Sequence, residues 1–127
     1  MAPFLRPYEG QIYAGFRIVA GLLFLQHGLQ KCFGLLGGKQ AADPMMWTAG
    51  TIELVGGTAI MLGLMTRWAA FLCSGLMASA YFIAHAGNGF WPVMNKGELA
   101  ALYCWAFLFI AARGAGMWSV DASIGRS

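Results

Sequence analysis

The stretch Trp68 to Ala86, WAAFLCSGLMASAYFIAHA, contains no Asp, Glu, Lys or Arg and carries only His85 near its end. A helix at the surface of a water-soluble bundle needs a polar stripe along one side. This stretch offers none on any face. A membrane crossing takes about 20 mostly apolar residues, and three further runs meet that need. They are Ile12 to Leu36, which holds Arg17, His27 and Lys31; Trp47 to Met65, broken only by Glu53; and Glu98 to Ala112, ending at Arg113. Runs of this length without alternating polarity are not barrel strands. Charged residues make up 10% of the chain, against about 25% in an ordinary soluble domain. That composition excludes disorder, a basic nucleic-acid-binding domain and a conventional soluble enzyme. The net charge of +3 implies no anionic partner beyond lipid headgroups. The expected fold is all-α, an integral membrane four-helix bundle with the lipid bilayer as its first partner and no nucleic acid.

Caps and connections set the boundaries. Asp43-Pro44 is an N-cap followed by proline at the first helical position. Asn95, three residues before Glu98, has the spacing of a capping box. The helices are expected at about 12–36, 44–65, 68–86 and 96–113, in a single domain over 1–127. Thr66-Arg67 is too short to be anything but a tight turn, so the second and third helices form an antiparallel hairpin. The connections at about Gly37 to Met46 and Gly87 to Lys96 share the opposite end. The tails, up to about Gly10 and from Gly114, read as short and polar.

Basic residues orient the bundle. Arg6, Arg67, Arg113 and Arg126, with Arg17 nearby, share the end that holds both termini; Lys31, Lys39 and Lys96 share the other. Both termini are therefore expected in the cytoplasm, with the chain a multi-pass membrane protein. Arg17 interrupts the first apolar run and no small-x-small cleavage site follows, so this run is expected to be retained rather than cleaved.

Depth and face then sort the polar residues. His27 and Lys31 fall at the outer end of the first helix, His85 at that of the third and Glu98 at that of the fourth. Glu53 lies about six residues, roughly 9 Å, inside the outer end of the second. Arg17 alone belongs to the inner half. At 100° per residue Arg17, Phe24, His27, Gly28 and Lys31 share one arc of about 120°. Ser74, Ala78, Tyr81 and His85 share a face of the third helix. Gly56 and Gly57, a turn below Glu53, let another helix approach closely. Ionisable residues inside a membrane normally face one another within the bundle. A polar pocket lined by His27, Lys31, Glu53, Tyr81, His85 and Glu98 is the expectation, with Arg17, Asn95 and Arg113 as structural polar residues.

Taken together, FRIVAGLLFLQHGLQKCFG, IELVGGTAIMLGLMTRWAA and NKGELAALYCWAFLFIAARGAG resemble the DoxX family of small bacterial membrane proteins. The resemblance runs from about Tyr13 to Asp121. It rests on the order of Arg17, His27-Gly28, Lys31, Glu53, Arg67, Asn95 through Glu98, and Arg113-Gly114. It implies a four-helix membrane protein of a redox-associated group, relatives of which include a subunit of a thiosulfate:quinone oxidoreductase.

Plainer roles stand beside these. Arg17 at this depth can snorkel to the membrane surface, Glu98 can be the N3 member of a cap, and Lys31 with Glu53 can be a structural ion pair. His27 and His85 can each donate to a backbone carbonyl, and Trp47, Trp91, Trp105 and Trp118 suit an interfacial belt. No two of the histidines and glutamates have a close metal-ligand spacing, and Lys31 opposes a cation, so no metal is expected. A quinone fits the residues better: its carbonyls take donors such as His or Lys, its ring takes aromatic walls, and a carboxylate moves the accompanying protons. Cys32, Cys73 and Cys104 lie on three helices at different depths without a C-x-x-C pair, which argues against disulfide chemistry. Three roles remain open, and whether the chain is itself an enzyme stays open with them. It is a redox-linked subunit with a quinone or small-substrate pocket, an accessory subunit of a larger membrane complex or homo-oligomer, or a small transporter component. For the orientation, a reporter fused after Arg113 should be active only if it works in the cytoplasm; activity of a periplasmic reporter there would reverse the topology.

Overall fold

The structure, a computed structural model, describes residues 4–92 and 97–125. Asn95, Lys96 and Arg126 lie outside the described residues. Four long helices carry the fold: α1 (Glu9–Phe33), α2 (Pro44–Leu62), α3 (Thr66–Ala80) and α4 (Glu98–Arg113), followed by a short α5 (Val120–Ser123). A 3-10 turn, Arg6–Tyr8, leads into α1, and a π-helical turn, Tyr81–His85, extends α3. The described residues contain no strand. The segments Arg6–Phe33, Pro44–Leu62 and Thr66–His85 are long and apolar enough to cross a membrane. With its 16 residues, α4 spans about 24 Å, less than the roughly 30 Å of a hydrocarbon core. The molecule is a helical membrane bundle in which the fourth helix, as described, falls short of the full hydrocarbon thickness.

Local chemistry explains the ends. Asp43 caps α2 by accepting from Met46 N at 2.8 Å, with Pro44 in the first turn. Gly63 ends α2 at φ 72°, a left-handed conformation that glycine adopts without steric cost, and the chain turns straight into α3. The start of α4 differs from the sequence expectation. Gly97 is its N-cap without a side-chain cap bond, and Glu98 is the first helical residue. Glu98 is therefore two residues too early to serve as the N3 partner of a capping box.

Glycines bring α1 and α2 into backbone contact. Gly21 and Gly28 are seven residues apart on α1, as Gly50 and Gly57 are on α2. A Cβ on Gly21 would stand 2.6 Å from Met61 N and 2.7 Å from Gly57 O. One on Gly28 would stand 2.5 Å from Leu54 N and 2.8 Å from Gly50 O. The seven-residue repeat keeps each pair on one side of its helix, so the antiparallel helices touch at two levels. Gly56, one residue away from Gly57, instead makes room for the Cys73 sulfur of α3. Adjacent glycines thus admit two different neighbours. The opposite pair, α3 and α4, is tied by Ser74 Oγ, which donates to Cys104 O at 2.8 Å. Phe24, Tyr103 and Phe107 fill the centre, with Phe24 and Phe107 rings 4.7 Å apart.

The end that holds both termini is closed by charged groups that bond largely to backbone. Arg17 is fully buried. Its guanidinium donates to Ile60 O at 3.0 Å, Met117 O at 3.0 Å, Trp118 O at 2.7 Å and also Ala115 O. Asp121 accepts from Met65 N and Thr66 N, each at 2.9 Å, and so caps the start of α3. Arg67 donates to the carbonyls of Ala111, Ala112 and Arg113, the last of α4. Two expectations are corrected here. Arg17 does not snorkel outward, because four carbonyls satisfy it inside. The segment from Gly114 is not a free polar tail, since Ala115 and Asp121 are buried among the helix ends.

The glycine contact makes a direct test. Gly21→Ala should lower the thermal midpoint in mild detergent, at a cost of about 1–3 kcal/mol for forcing a methyl against backbone. Gly15→Ala should leave the midpoint near the parent value, because nothing lies within 4 Å of a Cβ there.

Candidate functional site

The close approach of α1 and α2 sets two ionisable side chains against each other. Gly50 lies beside the stem of Lys31: a Cβ on Gly50 would stand 2.7 Å from Lys31 Cβ. With that space open, Lys31 Nζ reaches Glu53 Oε1 at 2.5 Å. Glu53 is 2% exposed and Lys31 25%, so the carboxylate is buried while the ammonium keeps an edge towards the surface. The second carboxylate oxygen, Glu53 Oε2, is buried without a hydrogen-bond partner among the described residues. A buried acceptor left unpaired costs about 1–3 kcal/mol, more when charged.

This pair borders a cavity of about 630 Å³ to which all four long helices contribute. From α1 come Phe24, His27 and Lys31; from α2 Met45, Met46, Thr48, Ala49 and Glu53. The third helix and its π turn add Leu76, Met77, Ser79, Ala80, Ile83, Ala84 and His85, and α4 adds Leu99, Ala100 and Tyr103. The walls are mostly methionine, aliphatic and aromatic, and the polar groups are few. His27 meets Tyr103 edge-on, with ring centroids 6.2 Å apart. Ligand sites commonly hold about 300–1,000 Å³ with a small number of placed polar groups.

Of the six residues named for the pocket from sequence, His27, Lys31, Glu53 and His85 line this cavity. Tyr81 and Glu98 do not. Tyr81 begins the π turn, where the wider i→i+5 winding breaks the i, i+4 repeat that placed it on the face of His85. Its hydroxyl points to Phe90 O at 3.5 Å. Glu98 is exposed at the first position of α4. Among the residues expected to be structural, Arg17 is buried as described, and Asn95 lies outside the described residues. Arg113 donates to Glu9 Oε1 at 3.3 Å and stands over the Tyr13 ring, 4.7 Å from its centroid.

Sequence reasoning missed Tyr103, Met45, Met46 and Met77. Tyr103 carried a usable signal: it is the one hydroxyl-bearing aromatic in the apolar run of α4, five residues from Glu98. The methionines carried none, since Met fills irregular gaps anywhere. Among the described residues no three His, Cys, Asp or Glu side chains gather to hold a metal ion. The cysteines are free thiols, two of them with separate packing roles: Cys32 is buried beside Gly50, and Cys73 is buried against Gly56. Cys104 Sγ lies 3.5 Å from Ser74 Oγ.

Comparison with known proteins gives a family match and two relatives. A family model described as DoxX matches residues 13–86. A Haemophilus influenzae protein described as uncharacterized is 43% identical, over 92% of this chain and 93% of its own length. The uncharacterized membrane protein Rv3486 of Mycobacterium tuberculosis is 27% identical, over 87% of this chain and 79% of its own. No solved structure matches the chain significantly.

The ion pair gives a graded prediction. Lys31→Met should destabilise the protein by about 3–5 kcal/mol, because it strands a buried carboxylate. The double variant Lys31→Met, Glu53→Met should recover most of that loss, as measured by thermal unfolding in detergent. Equal loss in both variants would mean that the pair itself, and not the stranded charge, holds the helices together.

Proposed function

We propose that this chain, which belongs to the DoxX family, is a redox-linked membrane subunit whose cavity receives the ring of a lipid-soluble quinone. One observation supports the reading above others: Glu53 is a buried carboxylate with one oxygen held by Lys31 and the other without a partner among the described residues, on the wall of a mostly apolar cavity. Each part has a use. The Lys31 ammonium and the rings of His27 and His85 offer donors to quinone carbonyl oxygens. Phe24 and Tyr103 supply ring walls, and Met45, Met46 and Met77 adapt to an irregular outline. Glu53 is the group to accept a proton from a quinol hydroxyl or return one, since its Oε2 borders the cavity with no hydrogen-bond partner among the described residues.

Electrons in this reading pass to or from a partner oxidoreductase, because the chain's own cysteines are dispersed in packing roles. The cavity lies at the end opposite both termini. With the termini in the cytoplasm, it opens towards the outer face of the bacterial cytoplasmic membrane. The accessory-subunit reading differs in one respect, that the ion pair would serve packing alone.

Quinone content of the purified protein separates the two. Extraction of the wild-type protein, isolated from its native membrane in mild detergent, should yield quinone approaching one molecule per chain. The Lys31→Met, Glu53→Met double variant should retain at least about tenfold less, the equivalent of losing one or two good hydrogen bonds. Equal quinone in both proteins, or none in either, would leave the pair as a packing device and the subunit as an accessory one.

A further inference from the structure

A second cavity, of about 640 Å³, lies at the end of the bundle that holds the termini, where the start of α1 meets the end of α4. Its walls include Leu5, Ile12, Phe16 and Phe109, all between 40% and 52% exposed. Arg6 and Arg113 line the same groove. The Arg6 side chain has no hydrogen-bond or ion-pair partner among the described residues. Arg113 has a long contact to Glu9 at 3.3 Å and lies across the Tyr13 ring. Two guanidinium groups therefore face one carboxylate, and the groove is left with positive charge.

The arrangement along the helix axis is as telling as the charge. Both arginines sit at the helix ends, Arg6 just before α1 and Arg113 as the last residue of α4. The apolar walls, Ile12, Phe16 and Phe109, lie further in, where the hydrocarbon is. Polar at the surface and apolar below is the profile of a phospholipid, and a guanidinium binds a phosphodiester through paired N–H donors. We propose that this groove is a binding site for one anionic phospholipid. Its phosphate is held between Arg6 and Arg113, and an acyl chain lies along Ile12, Phe16 and Phe109. The site is separate from the cavity of Glu53, at the other end of the bundle, and does not depend on what that cavity binds.

The test is native mass spectrometry of the full chain, transferred in mild detergent after incubation with vesicles of equal parts phosphatidylglycerol and phosphatidylcholine. One phosphatidylglycerol per chain should remain bound in preference to phosphatidylcholine. Arg6→Gln should reduce that retention about fivefold, the effect of one basic residue at a lipid surface. Its thermal midpoint in detergent without added lipid should not change, since the Arg6 side chain holds no other group. Lys39→Gln, in the loop at the opposite end, should leave retention as it was. Equal retention of the two lipids would overturn the site. So would full retention by Arg6→Gln, or a loss in Lys39→Gln as large as that in Arg6→Gln.

Discussion

Backbone contact between α1 and α2 is the constraint on which the rest of the structure depends. Helices in a bilayer gain nothing from hiding apolar side chains from lipid, so association rests on close packing and on polar bonds that lipid cannot offer. Gly21 against Gly57 and Gly28 against Gly50 supply the first. The second follows from it, because only helices this close let Lys31 reach a carboxylate as deep as Glu53. A side chain at any of these four glycines would push the helices apart and pull the ammonium from its partner. Packing and site chemistry are here one feature seen at two levels.

The two ends of the bundle treat charge in opposite ways. At the termini end, four of the five Arg17 guanidinium N–H groups donate to carbonyls, and both Asp121 oxygens accept from backbone N–H groups. Hydrocarbon provides no water to satisfy such groups, so a buried charge persists only when protein meets its bonds. Those bonds also join the segment from Ala115 to Asp121 to α1, α2 and α3. At the loop end Lys31 satisfies one oxygen of Glu53 and the other, beside a cavity, has no partner among the described residues. Charge that is largely matched holds a fold; charge that is half matched has capacity left for something else.

How much of this could be read from residues alone varied with the kind of signal. A single acid in the run Trp47 to Met65 demands a buried partner, and depth with helical phase singled out Lys31. Asp43-Pro44 marked the start of α2 because capping is local chemistry. Arg17 resisted such reading: its partners are backbone carbonyls as far as 101 residues away in sequence, and carbonyls have no residue signature. For the same reason the segment after Gly114 looked like a tail. Tyr81 failed because the phase argument assumed continuous α winding, and a π turn of five residues breaks that phase without any marker in sequence. Local bonds and obligatory charge pairs were legible, whereas contacts to distant backbone were not.

The asymmetry between the ends also bears on passage through the molecule. A transporter built from one such bundle would need a polar path from one face to the other. Beyond the cavity, Phe24, Phe107, Ile60 and Ile110 are almost entirely buried and fill the section between the helices. Past them the Arg17 guanidinium and the chain from Ala115 to Trp118 are knit together by hydrogen bonds. Opening that route would separate a buried cation from four acceptors at once, a cost well above that of a single hydrogen bond. A cavity that ends on a packed aromatic floor, above an arginine bonded to four carbonyls, leaves no polar path from one face to the other through the described residues.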